Sequence, residues 1–230
     1  MIEHAELHQK TPLFQYVECC EKLRGYYWKH PNLSKEEIHF FEKCFVEEIE
    51  PLGLISKNIF GDSDKVLIQY VRRGEDPPDG IIYIDNKEIG VEFTTSADNR
   101  LMNHVREQQK KGSIISLTGH TSKEIMGSRN KGYVHLGSEA ECIDTETIPN
   151  RILFIRESLD KKIKKGLKKA SWLCVLVDDA TIPLNDSKVF HYALIQLVEH
   201  LTPQFPKHLT KLIFLGVNRN EHLFKVFQLS

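Results

Sequence analysis

No stretch of the 230-residue chain approaches the ~20 uninterrupted apolar residues that a membrane-spanning helix needs. The opening MIEHAELHQK carries no apolar signal-peptide core, so the expected address is the cytoplasm, with no membrane partner. Cysteine is scarce and oddly numbered. Cys19, Cys20, Cys44, Cys142 and Cys174 include no CxxC pair, which argues against a disulfide framework or a four-cysteine metal site and predicts reduced, mostly buried thiols. GxxxxGK[ST], GxGxxG after a strand and GxSxG are all missing, which removes the usual reasons to propose an NTPase, a dinucleotide enzyme or a serine hydrolase. His4 and His8 have the spacing of a zinc-protease helix, but Ala5 stands where its glutamate would be.

What is present, 40% apolar and 27% charged side chains, suits one globular domain over 1–230. Thr11 and Pro12 read as N-cap and first residue of a helix that Gly25 ends, forming an N-terminal helical extension over 1–30. Tyr26, Tyr27 and Trp28 follow as packing residues. A second helix is expected over 35–50, with Ser34 and Glu37 as a capping box, Leu33 stapled to Ile38, and Ile38, Phe41, Phe45 and Ile49 as its apolar stripe. At ~100° per residue Glu48 falls beside that stripe, while Lys43 and Glu47 point away. Strands over 66–71, 81–84 and 89–94 form an antiparallel meander. A helix over 97–111 leads into a long loop region, 112–149, of the size that is functional or mobile in compact domains. The remainder alternates: helix 149–169, strand 172–177, helix 188–201, strands 211–215 and 223–229. The fold class is α/β, a mixed central sheet flanked by helices.

The net charge of −1 conceals segregation. From 100 to 135 there are seven Lys/Arg against two Asp/Glu, and from 151 to 169 eight against two, so these stretches carry +5 and +6. A cationic surface of this kind suits a polyanion; two solvated helix faces are the plainer reading.

One carboxylate stands out. In Ile89-Gly90-Val91-Glu92-Phe93-Thr94 the apolar run is broken by Glu92, which shares a strand face with Thr94 while Val91 and Phe93 take the other. Burying an unpaired charge costs several kcal/mol, so Glu92 is expected to be paired, hydrogen-bonded or bound to a metal. Asp79 begins the preceding strand, and two carboxylates on adjacent strands can share a divalent ion.

Pro78-Asp79, the spacing to Glu92, and the order helix, three-strand meander, helix, strand over about 34–178 resemble the PD-(D/E)xK nuclease superfamily, the restriction-endonuclease-like fold. The resemblance implies that Asp79, Glu92 and the carbonyl of Phe93 bind Mg²⁺ or Mn²⁺, with Glu48 a further acidic ligand. It also implies hydrolysis of phosphodiester bonds, with DNA ahead of RNA as substrate. Thr94 departs from the pattern by replacing the motif lysine. Some members take that cation from the following helix, where Lys162 lies at the apolar edge set by Ile155 and Leu159; the alternative is one more solvated lysine. Arg100, Arg106, Lys110, Lys111, Arg129, Lys131, Lys161 and Lys165 would neutralise flanking phosphates.

Two rivals stand beside the nuclease. One keeps the fold as a catalytically inactive nucleic-acid-binding module or structural subunit, with Thr94 marking lost catalysis. The other is a small-molecule enzyme using His104, His120 and His135, which no paired motif supports. Because cutting both strands of a duplex is easier for a dimer, a homodimer is among the expected states, although no interface is legible.

Overall fold

Residues 4–30, 34–71, 78–96, 147–167, 169–177, 187–216 and 223–229 are described by a computed structural model. The expected helix over 97–111, most of the long loop, its histidines, and Arg100, Arg106, Lys110, Lys111, Arg129 and Lys131 lie outside these residues, as do Leu33 and Cys142.

A short 3₁₀ turn, His4–His8, precedes Thr11 and Pro12, which form a two-residue strand, β1; Pro12 also caps the helix that follows, which starts one residue later than expected. The Thr11 hydroxyl donates backwards to the Glu6 carbonyl at 2.7 Å instead of capping forwards, and Thr11 and Pro12 pair with Ile68 and Leu67. Helix α1, Leu13–Lys29, runs through Gly25. Glycine costs a helix about 1 kcal/mol. Burial of Tyr27 on Phe41, with ring centroids 4.3 Å apart, outweighs that cost and carries the helix on.

The Ser34 box forms as expected, with Glu37 N donating to Ser34 Oγ at 3.2 Å and Ser34 N to Glu37 Oε2 at 2.9 Å. The helix it opens does not stop at 50. Helix α2, Lys35–Phe40, passes into a π-helical stretch, Phe41–Ile49, and then into α3, Glu50–Phe60. Pro51 and Gly53 look like breakers in the sequence, but Pro51 falls where Glu50 N bonds five residues back to Phe45 O, at a junction where the ordinary ladder is already open. Gly53 admits Tyr16, whose ring would lie 3.3 Å from any Cβ placed there. The altered winding also explains why Phe45 and Ile49 are fully buried while Ile38, expected on the same stripe, is 42% exposed.

Strands β2, Leu67–Tyr70, β3, Gly80–Ile84, and β4, Lys87–Thr95, form the antiparallel meander. Asp85 and Asn86 turn the hairpin with φ of 47° and 63°, the left-handed pair that a tight two-residue connection requires. Helix α4, Thr147–Lys165, starts two residues before Pro149, which is harmless in a first turn that needs no N–H donor. It ends four residues before the expected boundary because Gly166, at φ +78°, closes it by donating back to Lys162 O and Ile163 O. Strand β5, Trp172–Val177, is buried throughout; helix α5, Ser187–Leu201, β6, Lys211–Gly216, and β7, Phe224–Gln228, complete the chain.

The sheet is mixed and seven-stranded, in the order β1 to β7, with β4–β5 and β5–β6 parallel and the other pairs antiparallel. Both faces are covered. Phe45, Ile49, Leu52 and Ile55 of the N-terminal helical rod pack with Ile82, Val91, Phe93, Trp172 and Cys174. On the other face Ile155 and Leu159 of α4 and Phe190 and Leu194 of α5 pack with Leu173, Val175 and Phe214. Such a doubly covered sheet is why the parallel strands read as unbroken apolar runs. Burial pushes the Cys20 thiol up to about 12 and raises Cys174 further, so both behave as core residues.

Candidate active site

Strand β4 lies between β3 and β5, and its side chains alternate between the two cores. Val91 and Phe93 enter the first core; Glu92 and Thr94, in register with Leu173 and Val175, face the second, beneath α4. Two residues of α4 reach down to this strand. Ser158 Oγ donates to the Thr95 carbonyl at 2.9 Å, and one turn later Lys162 Nζ donates to Glu92 Oε1 at 2.6 Å. An i, i+4 pair lies on one helix face, so the serine and the lysine act as two pins that fix how α4 sits over β4. The Lys162 and Glu92 side chains are only 21% and 13% exposed, whereas Lys161, Lys164 and Lys165 are exposed. Among the described residues the other carboxylate oxygen, Glu92 Oε2, is buried with no hydrogen-bond partner.

Asp79 reaches the same strand from β3. The β3–β4 ladder ends at Gly80 opposite Val91, one residue short of setting Asp79 opposite Glu92. Beyond that point Pro78 has little to offer β4, and the Asp79 side chain takes over: its Oδ2 accepts a 2.7 Å hydrogen bond from Phe93 N. The Asp79 carbonyl accepts from Val71 N at 3.0 Å, so the residue is tied to strands on both sides. Gly90 makes room for this corner. A Cβ there would stand 2.7 Å from the Lys169 carbonyl and 3.0 Å from the Pro78 ring, so only glycine lets the Pro78-Asp79 segment lie against β4.

Glu48 meets a tyrosine. It is 8% exposed, and its Oε2 accepts a 2.9 Å hydrogen bond from the Tyr70 hydroxyl. Burial, with the Glu48 charge beside it, raises the Tyr70 hydroxyl far above the ordinary tyrosine range, so it remains a donor. Tyr70 belongs to the core that contains Val91 and Phe93, on the side of β4 away from Glu92. Among the described residues no group of three His, Cys, Asp or Glu side chains gathers closely enough to hold one ion. The expected pointing of Lys43 and Glu47 away from the core leaves them to pair with each other, at 2.7 Å.

The structure joins Lys162 to Glu92, ties Asp79 to the backbone of the same strand at Phe93, and sets Glu48 against Tyr70. Three contributors were missed in the sequence: Ser158, Tyr70 and Gly90. Ser158 could have been found from its spacing, four residues before Lys162. The Tyr70 partnership crosses between elements, and nothing local signals it.

A divalent ion fits these residues. Mg²⁺ is commonly held by one or two carboxylates with waters completing its shell, so a three-carboxylate cluster is not required. Glu92 Oε2 is a buried acceptor lacking a donor, which is the kind of atom a hard cation satisfies. No protein-family model, curated protein or solved structure matches the chain.

Proposed function

We propose that the chain is a metal-dependent nuclease of the PD-(D/E)xK type, hydrolysing phosphodiester bonds of nucleic acid, with DNA ahead of RNA. The observation that carries this reading is the state of Glu92: a nearly buried strand carboxylate with one oxygen on Lys162 and the other unsatisfied. The order of helical rod, antiparallel meander, helix α4 and parallel strand β5 around it supports the reading. Asp79 and Glu92 would hold Mg²⁺ or Mn²⁺, with the Phe93 carbonyl as a third ligand. When bound, the ion supplies a Lewis acid that polarises the phosphate and lowers the pKa of a water. Phe93 N fixes the Asp79 carboxylate, so its geometry is set before any substrate arrives. Lys162 puts a positive charge beside Glu92, which Thr94 cannot, and would supply the cation that orients the nucleophile. Lys161 and Lys165, exposed on the same helix, would engage flanking phosphates.

The test is cleavage of plasmid and oligonucleotide substrates with Mg²⁺, Mn²⁺ or EDTA. Wild-type protein should cut only with metal, and Glu92→Gln or Asp79→Asn should reduce turnover by about 100-fold or more, the scale on which metal-site substitutions act. Equal cleavage by wild type and both variants would refute the site.

A second reading rests on the same ion pair. Lys162 already balances the Glu92 charge, which is what a nucleic-acid-binding module without catalysis would also need. Metal-dependent cleavage by the wild type, lost in Glu92→Gln, decides between them.

A further inference from the structure

The two oxygens of Glu92 are used unequally. Oε1 receives the Lys162 ammonium at 2.6 Å; Oε2 is buried, faces no donor and has no hydrogen-bond partner. A carboxylate that is 13% exposed needs a counter-charge, and Lys162 supplies one positive charge. The remaining acceptor is the atom a second cation would take once the groups closing over it move aside, but two cations on one small carboxylate repel each other strongly in a site with little water.

We infer that Lys162 is a resident counter-ion that competes with a divalent cation for Glu92: it holds the carboxylate in place while the site is empty, and its pairing is weakened when metal binds at Oε2. The inference rests on the metal-binding reading given above and adds to it a fixed opposition between ion and lysine. The lysine stabilises the metal-free fold and keeps metal affinity low. Released from Glu92, its ammonium becomes available to a substrate phosphate or water, so that the cation needed beside the reacting group is freed only in the loaded site. Ser158, pinned to Thr95 one turn earlier, keeps α4 in place during the exchange, so the motion is confined to the lysine side chain.

The experiment compares full-length wild type, Lys162→Met, Lys162→Arg, Lys164→Met and Glu92→Gln by calorimetric titration with Mn²⁺ and by thermal unfolding in EDTA and in Mn²⁺. Lys164 is the control because it is exposed on the same helix. Lys162→Met should unfold at lower temperature than wild type in EDTA, recover in Mn²⁺, and bind Mn²⁺ about tenfold or more tightly, as expected when a unit charge next to the ion is removed. Lys164→Met and Lys162→Arg should bind as wild type does, and Glu92→Gln should show no Mn²⁺ response. In wild-type protein the Lys162 ¹⁵Nζ resonance should shift on titration with Mg²⁺, a readout that requires no substitution.

Mn²⁺ binding that Glu92→Gln abolishes but Lys162→Met leaves equal or weaker overturns the exchange and leaves the metal site standing. A Lys162 resonance unmoved by Mg²⁺ that does bind also overturns it. Absence of metal binding in the wild type overturns both this inference and the nuclease reading.

Discussion

Two glutamates, Glu48 and Glu92, are largely removed from water, and each meets a different donor. Glu48 takes a neutral hydroxyl, Tyr70, and Glu92 takes an ammonium, Lys162. The donors differ in kind: an ammonium brings its own charge to the carboxylate, whereas a hydroxyl offers only a hydrogen bond. Tyr70→Phe should therefore destabilise the protein by about 1–3 kcal/mol, the usual cost of withdrawing a donor from a buried acceptor. Chemical denaturation at neutral pH measures it, and an unchanged midpoint would show that the hydroxyl contributes nothing. The pH dependence carries a second signature. The folded protein holds the Tyr70 proton more tightly than the unfolded chain does, so its contribution is complete below the ordinary tyrosine pKa of about 10 and declines as the pH rises above that value. The alkaline fall in stability should accordingly be shallower in Tyr70→Phe, with the parts due to Tyr16 and Tyr27, which burial also raises, left in place. Glu92 was legible in the sequence because alternation forces it against its neighbours' apolar character. Its partner was legible only as an edge position on a helical wheel. Tyr70 was not, since a donor 22 residues away on another element leaves no local trace.

Helix α4 brings Lys162 to the strand, and its placement can be tested apart from the lysine itself. Ser158→Ala removes the pin to Thr95 while leaving Lys162 intact, so a positioning role predicts a modest loss of stability, about 1 kcal/mol for one hydrogen bond, together with a larger fall in kcat than in affinity for nucleic acid. A change in stability with no change in kcat would make the serine purely structural. Thr94 offers the complementary test. It shares the strand face of Glu92 and is half-buried, so a lysine there would project toward the same carboxylate that Lys162 serves. Thr94→Lys combined with Lys162→Met should recover part of the activity lost in Lys162→Met alone; no recovery would show that the direction from which the cation approaches matters. The elements that support this geometry were mostly readable: the meander, the buried β5 and both C-terminal helices have periodicities that burial imposes directly. The errors fall where packing between elements overrode local signals. Gly25 did not stop α1 because Tyr27 had a buried place to occupy, Pro51 did not stop the rod because π-helical winding had opened the ladder, and Thr11 became a strand because Ile68 lay beside it.

For the molecule as a whole, a net charge of −1 is compatible with polyanion binding only if the charges are sorted in space. Among the described residues α4 shows such sorting, with Lys161, Lys164 and Lys165 exposed and the helix anchored next to Glu92 through its fourth lysine. If this face meets duplex DNA, the logarithm of the binding constant should fall with the logarithm of salt concentration at about −0.9 per phosphate neutralised, and Lys165→Met should make the slope shallower by roughly one such unit. Binding by itself would satisfy both the nuclease and the inactive module, so the decisive variant is one that alters a carboxylate without disturbing the fold. Asp79→Asn is suited to this because an amide oxygen can still accept from Phe93 N, whereas alanine would leave that backbone donor without the side chain that now satisfies it. Removing a negative charge near the scissile phosphate should leave metal-free DNA binding unchanged or tighter while metal-dependent cleavage disappears. Fluorescence anisotropy in EDTA, followed by a cleavage assay on the same preparation, measures both. If Asp79→Asn weakens metal-free binding as much as Lys165→Met does, Asp79 supports the basic face instead of holding an ion, and the chain is a binding module built on this sheet.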